Sequence, residues 1–343
     1  NILIHVGNGK MVLTANNLEI AIEYEITDGV KIEEPGDITV SYRFIASYVS
    51  LLDDEDVTIK TETGQTLVFS TAKNTTRYKG ISADEFPVIP SIRRDTSVSM
   101  DTTELRRAFS KTLFSCANTN IRPTLAGVYC KISPDSLTFA STDSFRLSEY
   151  AIANSVNTDK DFSIIIPAKT ASELLKILPD DRQVELFISE NHLLVVFENI
   201  HLYSRLLNGH FPDYNNFFPG GYNTKATIKR RELIQSMKQI SLISRENNFN
   251  TKMFFKPNAG IIEMDTGDTE VGAGKVSLDV QIEGVDEGIG VNSTYMLDVL
   301  GVIKAEHITI QFETNLSPVL LTPECDDDNE ESAFRHIIMP LKI

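Results

Sequence analysis

Apolar and polar positions along the chain change period in the same order three times. Residues 38–41 (ITVS) read as a strand, and over 44–52 the apolar positions return every three or four residues, as on one face of a helix. An acidic turn at Asp53 and Asp54 follows, and then a second strand, 57–60 (VTIK). The order recurs as 163–167 (SIIIP), a predicted helix over 168–178, Asp180-Asp181, and 184–187 (VELF). It recurs again as 289–292 (IGVN), a predicted helix over 294–303, and 308–311 (ITIQ). Phe86-Pro87 and Phe211-Pro212 close two of the strand-rich stretches, and Tyr78 and Tyr203 precede them at matching distances.

The second and third units also open alike. A helix predicted over 101–115 contains Glu104-Leu105 and Phe109, and one over 229–244 contains Glu232-Leu233 and Met237 at the same internal spacing. Leu105, Phe109 and Thr112-Leu113 fall on one face, as a half-buried helix requires. The first unit has no such opening, so residues preceding Asn1 are expected. Pro and Gly near 90–95 and 219–222, with Asp95 and Tyr222 at their ends, mark the breaks between units. The expected fold is α+β: three repeated units over 1–93, 94–219 and 220–343, each with two helices packed on antiparallel sheets, the first lacking its opening helix. Alternation such as that over 193–197 fits strands buried on one face.

Composition narrows the classes. With 41% hydrophobic and 23% charged residues the chain is of ordinary globular make-up. The most apolar helical stretch, 295–303, is interrupted by Asp298, which argues against a membrane span. Cys116, Cys130 and Cys325 are odd in number and far apart, which suits a reducing compartment and no disulfide framework. Residues 1–6 have none of the features of a signal peptide. The net charge of −16 argues against bulk attraction to nucleic acid, yet its distribution is uneven. Lys229, Arg230, Arg231, Lys238 and Arg245 stand against Glu232 alone, and Arg106, Arg107 and Lys111 cluster on the second-unit helix. Acidic residues crowd the strand region holding Glu263, Asp265, Asp268, Glu270, Asp279, Glu283, Asp286 and Glu287. This pattern predicts helices facing phosphates and acids facing outward.

Five segments together carry a family resemblance: 122–130 (RPTLAGVYC), 142–147 (TDSFRL), 209–219 (GHFPDYNNFFP), 291–298 (VNSTYMLD) and 336–343 (HIIMPLKI). In these motifs, and in the register of all three repeats, the chain resembles the beta subunit of bacterial DNA polymerase III, the bacterial DNA sliding clamp. The resemblance implies a non-catalytic processivity factor without a cofactor. It would be a head-to-tail homodimer whose six units form a ring around duplex DNA, with helices lining the hole. It further implies a bacterial, cytoplasmic, nucleoid-associated protein whose partners are DNA, the polymerase III catalytic subunit, the clamp loader and other proteins bearing a clamp-binding motif.

Carried over position by position, the family's peptide cleft between units 2 and 3 would comprise Leu125, Thr142, Ser144, Phe145, Arg146, Leu147, Pro212, Phe217, Phe249, Asn292, Tyr295, Val319, Ile338, Met339, Pro340 and Leu341. Most are apolar, and methionine adapts to varied ligands. Anchor side chains are worth roughly 1.5–3 kcal/mol each when buried, and with the cost of association offsetting part of the total an affinity of about micromolar, near −8 kcal/mol, is expected for partners that must exchange. Ser144-Phe145 stands where Gly-His is common in the family, Asn216 replaces a frequent Arg, and Lys342-Ile343 replaces Arg-Leu; because Phe145 and Phe217 are bulky, a narrower pocket is expected. The expected DNA-facing residues are Arg106, Arg107, Lys111, Arg122, Lys169, Lys176, Lys229, Arg230, Arg231 and Lys238.

Catalytic and metal motifs do not emerge. His5, His192, His201, His210, His307 and His336 have no metal-ligand spacing. The glycines around Asn8 and Ala273 are followed by Lys10-Met11 and Lys275-Val276, not by Lys-Ser or Lys-Thr, and are expected to be strand turns rather than phosphate loops. The acid run Asp326, Asp327, Asp328, Glu330 and Glu331 reads as a solvated loop. Asp143 beside Ser144 lacks an accompanying base. Two other readings stay open: a repeat-built interaction scaffold that never encircles DNA, and, without motif support, a hydrolase.

Overall fold

The computed structural model describes residues 1–343 except 54, 55, 95, 119, 120, 154–160, 327–330 and 343. Asp54, Asp95, Asp327, Asp328, Glu330 and Ile343, which figure in the sequence reading, therefore lie outside the described residues.

The repeated order is visible in the elements. The first set is β1 (Ile2–Gly7), β2 (Lys10–Asn16), β3 (Ile20–Ile26), β4 (Gly36–Val40), α1 (Tyr42–Val49), β5 (Thr58–Glu62), β6 (Thr66–Ser70) and β7 (Thr75–Lys79). The second opens with β8 (Ser97–Asp101) and α2 (Thr102–Thr112). It continues through β9 (Gly127–Ser133), β10 (Ser136–Thr142), β11 (Arg146–Ala153), β12 (Phe162–Pro167), α3 (Ala168–Ile177), β13 (Gln183–Ile188), β14 (His192–Phe197) and β15 (Ile200–Arg205). The third opens with β16 (Thr224–Lys229) and α4 (Arg230–Ser244). It then runs β17 (Asn250–Lys256), β18 (Ile261–Asp265), β19 (Lys275–Asp279), β20 (Gln281–Gly284), β21 (Glu287–Asn292), α5 (Ser293–Val302), β22 (His307–Phe312), β23 (Val319–Glu324) and β24 (Phe334–Ile338). Predicted and observed helices agree closely, except that α1 starts before 44 and stops short of 52.

Local chemistry explains the boundaries. Asn292 caps α5, its side-chain oxygen accepting from the N–H groups of Thr294 (2.9 Å) and Tyr295 (3.2 Å). Pro179, just past α3, cannot continue a helix. Asn8 and Gly9, both at positive φ, make the tight turn that pairs Gly7 with Lys10, so this glycine-rich segment is a hairpin.

By the density of its internal contacts the chain divides into two compact units, each built around a long antiparallel sheet. One comprises Asn1–Thr102 and Asp180–Leu206. Its eight-stranded sheet runs β4-β1-β2-β3-β15-β14-β13-β8, beside a three-stranded sheet β5-β6-β7. Ile4, Ile38, Val40, Leu67 and Phe69 form a core against which Phe44, Ile45 and Tyr48 of α1 pack. The other unit comprises Thr103–Pro179 and Leu207–Ile343. Its nine-stranded sheet runs β12-β9-β10-β11-β24-β23-β22-β16-β20, beside a four-stranded sheet β19-β18-β17-β21. Here α4 packs on α5, and Phe109 of α2 meets Phe139 edge-on at 5.9 Å.

One rule joins successive repeats. The third strand of the first repeat, β3, pairs with the last strand of the second, β15; likewise β11 pairs with β24. The positions left over by this rule are β7 and β19, each an edge strand of its sheet among the described residues.

Candidate functional site

A cavity of about 380 Å³ opens in the second unit, where β11 and β24 meet. One wall is the short 3-10 turn Pro123–Leu125, preceded by Arg122; another is the β10–β11 turn with Thr142, Ser144, Arg146 and Leu147. Pro212, Tyr214 and Phe217 close one side, and Ile337 and Met339 from the end of β24 line the floor. Tyr214 belongs to an aromatic cluster in which Tyr129 stacks on Phe211 at 4.8 Å and Tyr214 meets both rings edge-on.

The β10–β11 turn is over-determined by its own side chains. Thr142 Oγ1 accepts from the Ser144 N–H (3.0 Å) and donates to the Arg146 carbonyl (2.6 Å). Asp143 Oδ1 accepts from the N–H groups of Phe145 (2.9 Å) and Arg146 (3.0 Å), as an Asx turn does. These bonds hold Ser144 at φ 81°, a left-handed conformation that costs a side-chain-bearing residue about 1 kcal/mol or more. Ser144 Oγ in turn accepts from Arg122 Nη1 at 3.3 Å. Phe145 is 59% exposed and outside the lining, and its carbonyl accepts from the Met339 N–H at 2.8 Å. The tail then bridges to β21, the Leu341 N–H donating to the Gly290 carbonyl at 2.8 Å.

Arg146 is the organising charge. Its guanidinium donates to Asp143 (3.1 Å), Asp298 (2.5 Å) and the Phe114 carbonyl (2.8 Å), and lies over the Tyr295 ring at 4.4 Å. Fixed this way it is neutralised and serves as wall. Burial pushes the Tyr214 hydroxyl well above its ordinary range, with Glu149 adding to the effect, and burial raises the Cys116 thiol to about 12. Beneath, on the sheet face away from Ile337, burial and then Arg146 hold His336 neutral, lowering it to about 3. Among the described residues the lining contains no carboxylate, imidazole or thiol. Its chemistry is that of an apolar slot with a few fixed polar groups, suited to holding an apolar side-chain cluster of a ligand.

Of the expected cleft residues, the structure brings Leu125, Thr142, Ser144, Arg146, Leu147, Pro212, Phe217 and Met339 together around the cavity, while Phe145 is exposed and outside the lining. Pro340 and Leu341 follow as the half-buried tail. Phe249, Asn292 and Tyr295 stand off the lining. Phe249 accepts from the Ser293 N–H, Asn292 caps α5, and Tyr295 reaches the site through Arg146. Val319 and Ile338 fall outside the lining: they are fully buried and pair with each other in the sheet. Alternation along β24 points Ile337, not Ile338, into the cavity. Thr124, Tyr214 and Ile337 were missed, although Tyr214 lies inside the F-P-D-Y motif.

One expected DNA-facing residue is buried, and another lines the cavity. Lys111 is buried, donating to the Val302 carbonyl (2.7 Å) and paired with Glu331, so it cannot reach a phosphate. Glu331 is accordingly no part of a solvated acid loop. Arg122 lies at the cleft mouth. Arg106 and Arg230 are half-exposed and donate to the carbonyls of Leu178 and Leu300; Arg107 is half-exposed. Lys169, Lys176, Lys229, Arg231 and Lys238 are exposed. Arg231 and Lys238 share a face of α4 with Ile234, Gln235 and Leu242. No helix among the described residues is long and apolar enough to cross a membrane.

Comparison with known proteins places the whole chain. Residues 1–90 match the DNA polymerase III beta subunit N-terminal domain, 99–213 its central domain and 215–342 its C-terminal domain. A beta sliding clamp of Staphylococcus aureus is 30% identical over 97% of this chain and 89% of its own length. That of Staphylococcus epidermidis is 29% identical over 99% and 91%. Among solved structures, the DNA polymerase III beta chain of Streptococcus pneumoniae has a TM-score of 0.94 at 30% identity, covering all of this chain and 91% of that one. The Bacillus subtilis sliding clamp gives 0.93 at 28%, with the same coverage. With all three domains matched in order, the chain belongs to the DNA polymerase III beta subunit family.

Proposed function

We propose that this protein is a DNA sliding clamp: two copies close head to tail around duplex DNA, and polymerases and other partners dock a short apolar segment in the Met339 cleft. Family membership supports the activity. The observation that carries the reading of assembly is the pair of edges left by the strand-joining rule. The same pairing that links β3 to β15 and β11 to β24 would link β19 of one copy to β7 of the next. Open strand edges invite uncontrolled association, and a head-to-tail contact that closes on itself removes them.

Retention then comes from threading, so contacts to DNA can be few and confined to phosphates. The exposed cations of α4, Arg231 and Lys238, fit that role in a chain whose net charge is −16. Working on cytoplasmic, nucleoid DNA, such a ring needs partners that exchange, and micromolar docking in the cleft provides this.

Loading the protein on nicked circular DNA and then linearising it tests the proposal. The expected result is stable retention on the circle and rapid loss through the ends of the linear form. Equal loss from both, or a strictly monomeric mass at every concentration, would overturn it and favour a scaffold that does not encircle DNA.

A further inference from the structure

A pair of opposite charges is buried where α5 ends. Lys111, in the last turn of α2, has a side chain only 3% exposed. Its ammonium donates to the Val302 carbonyl at 2.7 Å, pairs with the Glu331 carboxylate and lies 5.1 Å from the centre of the Phe334 ring. Glu331 also accepts from the N–H groups of Lys304 (2.9 Å) and Ala305 (2.6 Å), just beyond α5. Lys111 thus satisfies a carbonyl that the helix end leaves open, and Glu331 satisfies two N–H groups of the segment that follows. Burial pushes Glu331 upward, but its hydrogen bonds to Lys111 and to the two N–H groups outweigh this and hold the carboxyl below its ordinary value.

Replacing a buried ion pair by apolar packing is often neutral in stability; its attested use is to fix register, because one arrangement alone satisfies both charges. Here the arrangement links three elements. Lys111 belongs to the second repeat, Val302 to α5, and Glu331 leads into β24, where the Phe334 N–H donates to the Glu331 carbonyl at 3.0 Å. Nearer its start α5 is held by another cation of the second repeat, Arg146, through Asp298 and Tyr295. So α5 is fixed along its length by two second-repeat cations, and β24, which delivers Met339 to the cavity, is tied to the same anchor.

We propose that Lys111, acting through Glu331, is a positioning residue for the cleft: it sets where α5 and β24 lie on the second repeat, and so where residues 339–341 meet the Phe145 turn and Gly290. The purpose rests on the cleft reading above; the mechanical coupling does not, and it can be tested with no partner present.

The test is amide hydrogen exchange on the full chain, comparing wild type with Lys111→Met and with the double variant Lys111→Met/Glu331→Met. The expected result is at least tenfold faster exchange at Met339 and Leu341, whose acceptors are the Phe145 and Gly290 carbonyls, while the β3–β15 amides keep their rates. Acceleration confined to Lys304 and Ala305 would reduce the pair to a local cap and overturn the proposal. If Lys111→Met alone does not fold, the double variant decides, since it leaves no unpaired charge; tail amides exchanging at the wild-type rate there overturn the proposal equally.

Discussion

The two joins between repeats share a main-chain design and differ in side-chain chemistry. In the first unit β3 and β15 pair from Tyr24–Ile200 to Ile20–Ser204; in the second β11 and β24 pair from Arg146–Ile338 to Tyr150–Phe334. At the first join Glu23 accepts from the Tyr203 hydroxyl at 2.9 Å and lies 3.8 Å from His201, with its side chain 26% exposed. At the second, the Glu149 side chain is 8% exposed and receives two N–H groups of Arg335, which stacks on Phe218 at 3.9 Å. Ser148 bonds His336 at 2.8 Å, and Arg146 and Lys111 add their own ties. The first join thus adds only a few part-exposed side-chain ties to its strand pairing. The buried polar network is found at the join that also forms the cavity, where its side-chain hydrogen bonds favour one geometry even though His336 Nε2 has no partner of its own among the described residues.

Substitutions can break this contrast. The largest effect is expected from Arg146→Ala, which takes the guanidinium away from Asp143, Asp298 and the Phe114 carbonyl and removes the cation between two rings. A loss of about 3–5 kcal/mol is expected in denaturant unfolding, as for a broken buried ion pair. An effect no greater than that of a substitution at the first join would erase the distinction.

Next comes acid. An unfolded histidine takes up its proton near pH 6.5, whereas folded His336 resists until about 3, so its contribution is complete above 6.5 and is lost as the pH falls between the two. Between pH 7 and pH 4, wild type should lose roughly 3 kcal/mol more than His336→Leu. Parallel stability curves would show the burial to be unimportant. The smallest effect belongs to the first join: Tyr203→Phe removes one hydrogen bond to Glu23 and should cost about 1 kcal/mol, with the β3–β15 amides still protected. A loss as large as that of Arg146→Ala would put the two joins on the same footing.

How far the sequence could be read follows the same division. The order of strands and helices was legible because each repeat switches between periods of two and 3.6, and helix ends fall at Asn292 and Pro179 as their chemistry demands. The cleft was half legible: the β10–β11 turn and Met339 carry motifs, but the phase of β24, which exchanges Ile338 for Ile337, depends on its pairing with β11. Lys111 was misread for a physical reason. A lysine in an amphipathic helix ordinarily faces water, and its counter-charge lies in an acid run near the other end of the chain. Nor does pattern alone report burial. Helix α1 has the period of α3 and α5 yet buries none of its residues fully, while Ala171, Leu174, Met296 and Val299 are completely enclosed.

Gly290 bears on the tail in a way its position in the chain conceals. A Cβ there would stand 2.6 Å from the Leu341 carbonyl oxygen, so residues 339–341 occupy a seat defined by a missing methyl group. The chain end is thus hostage to a strand some fifty positions earlier. A side chain at that strand position would unseat residues 339–341 while their own sequence stayed intact.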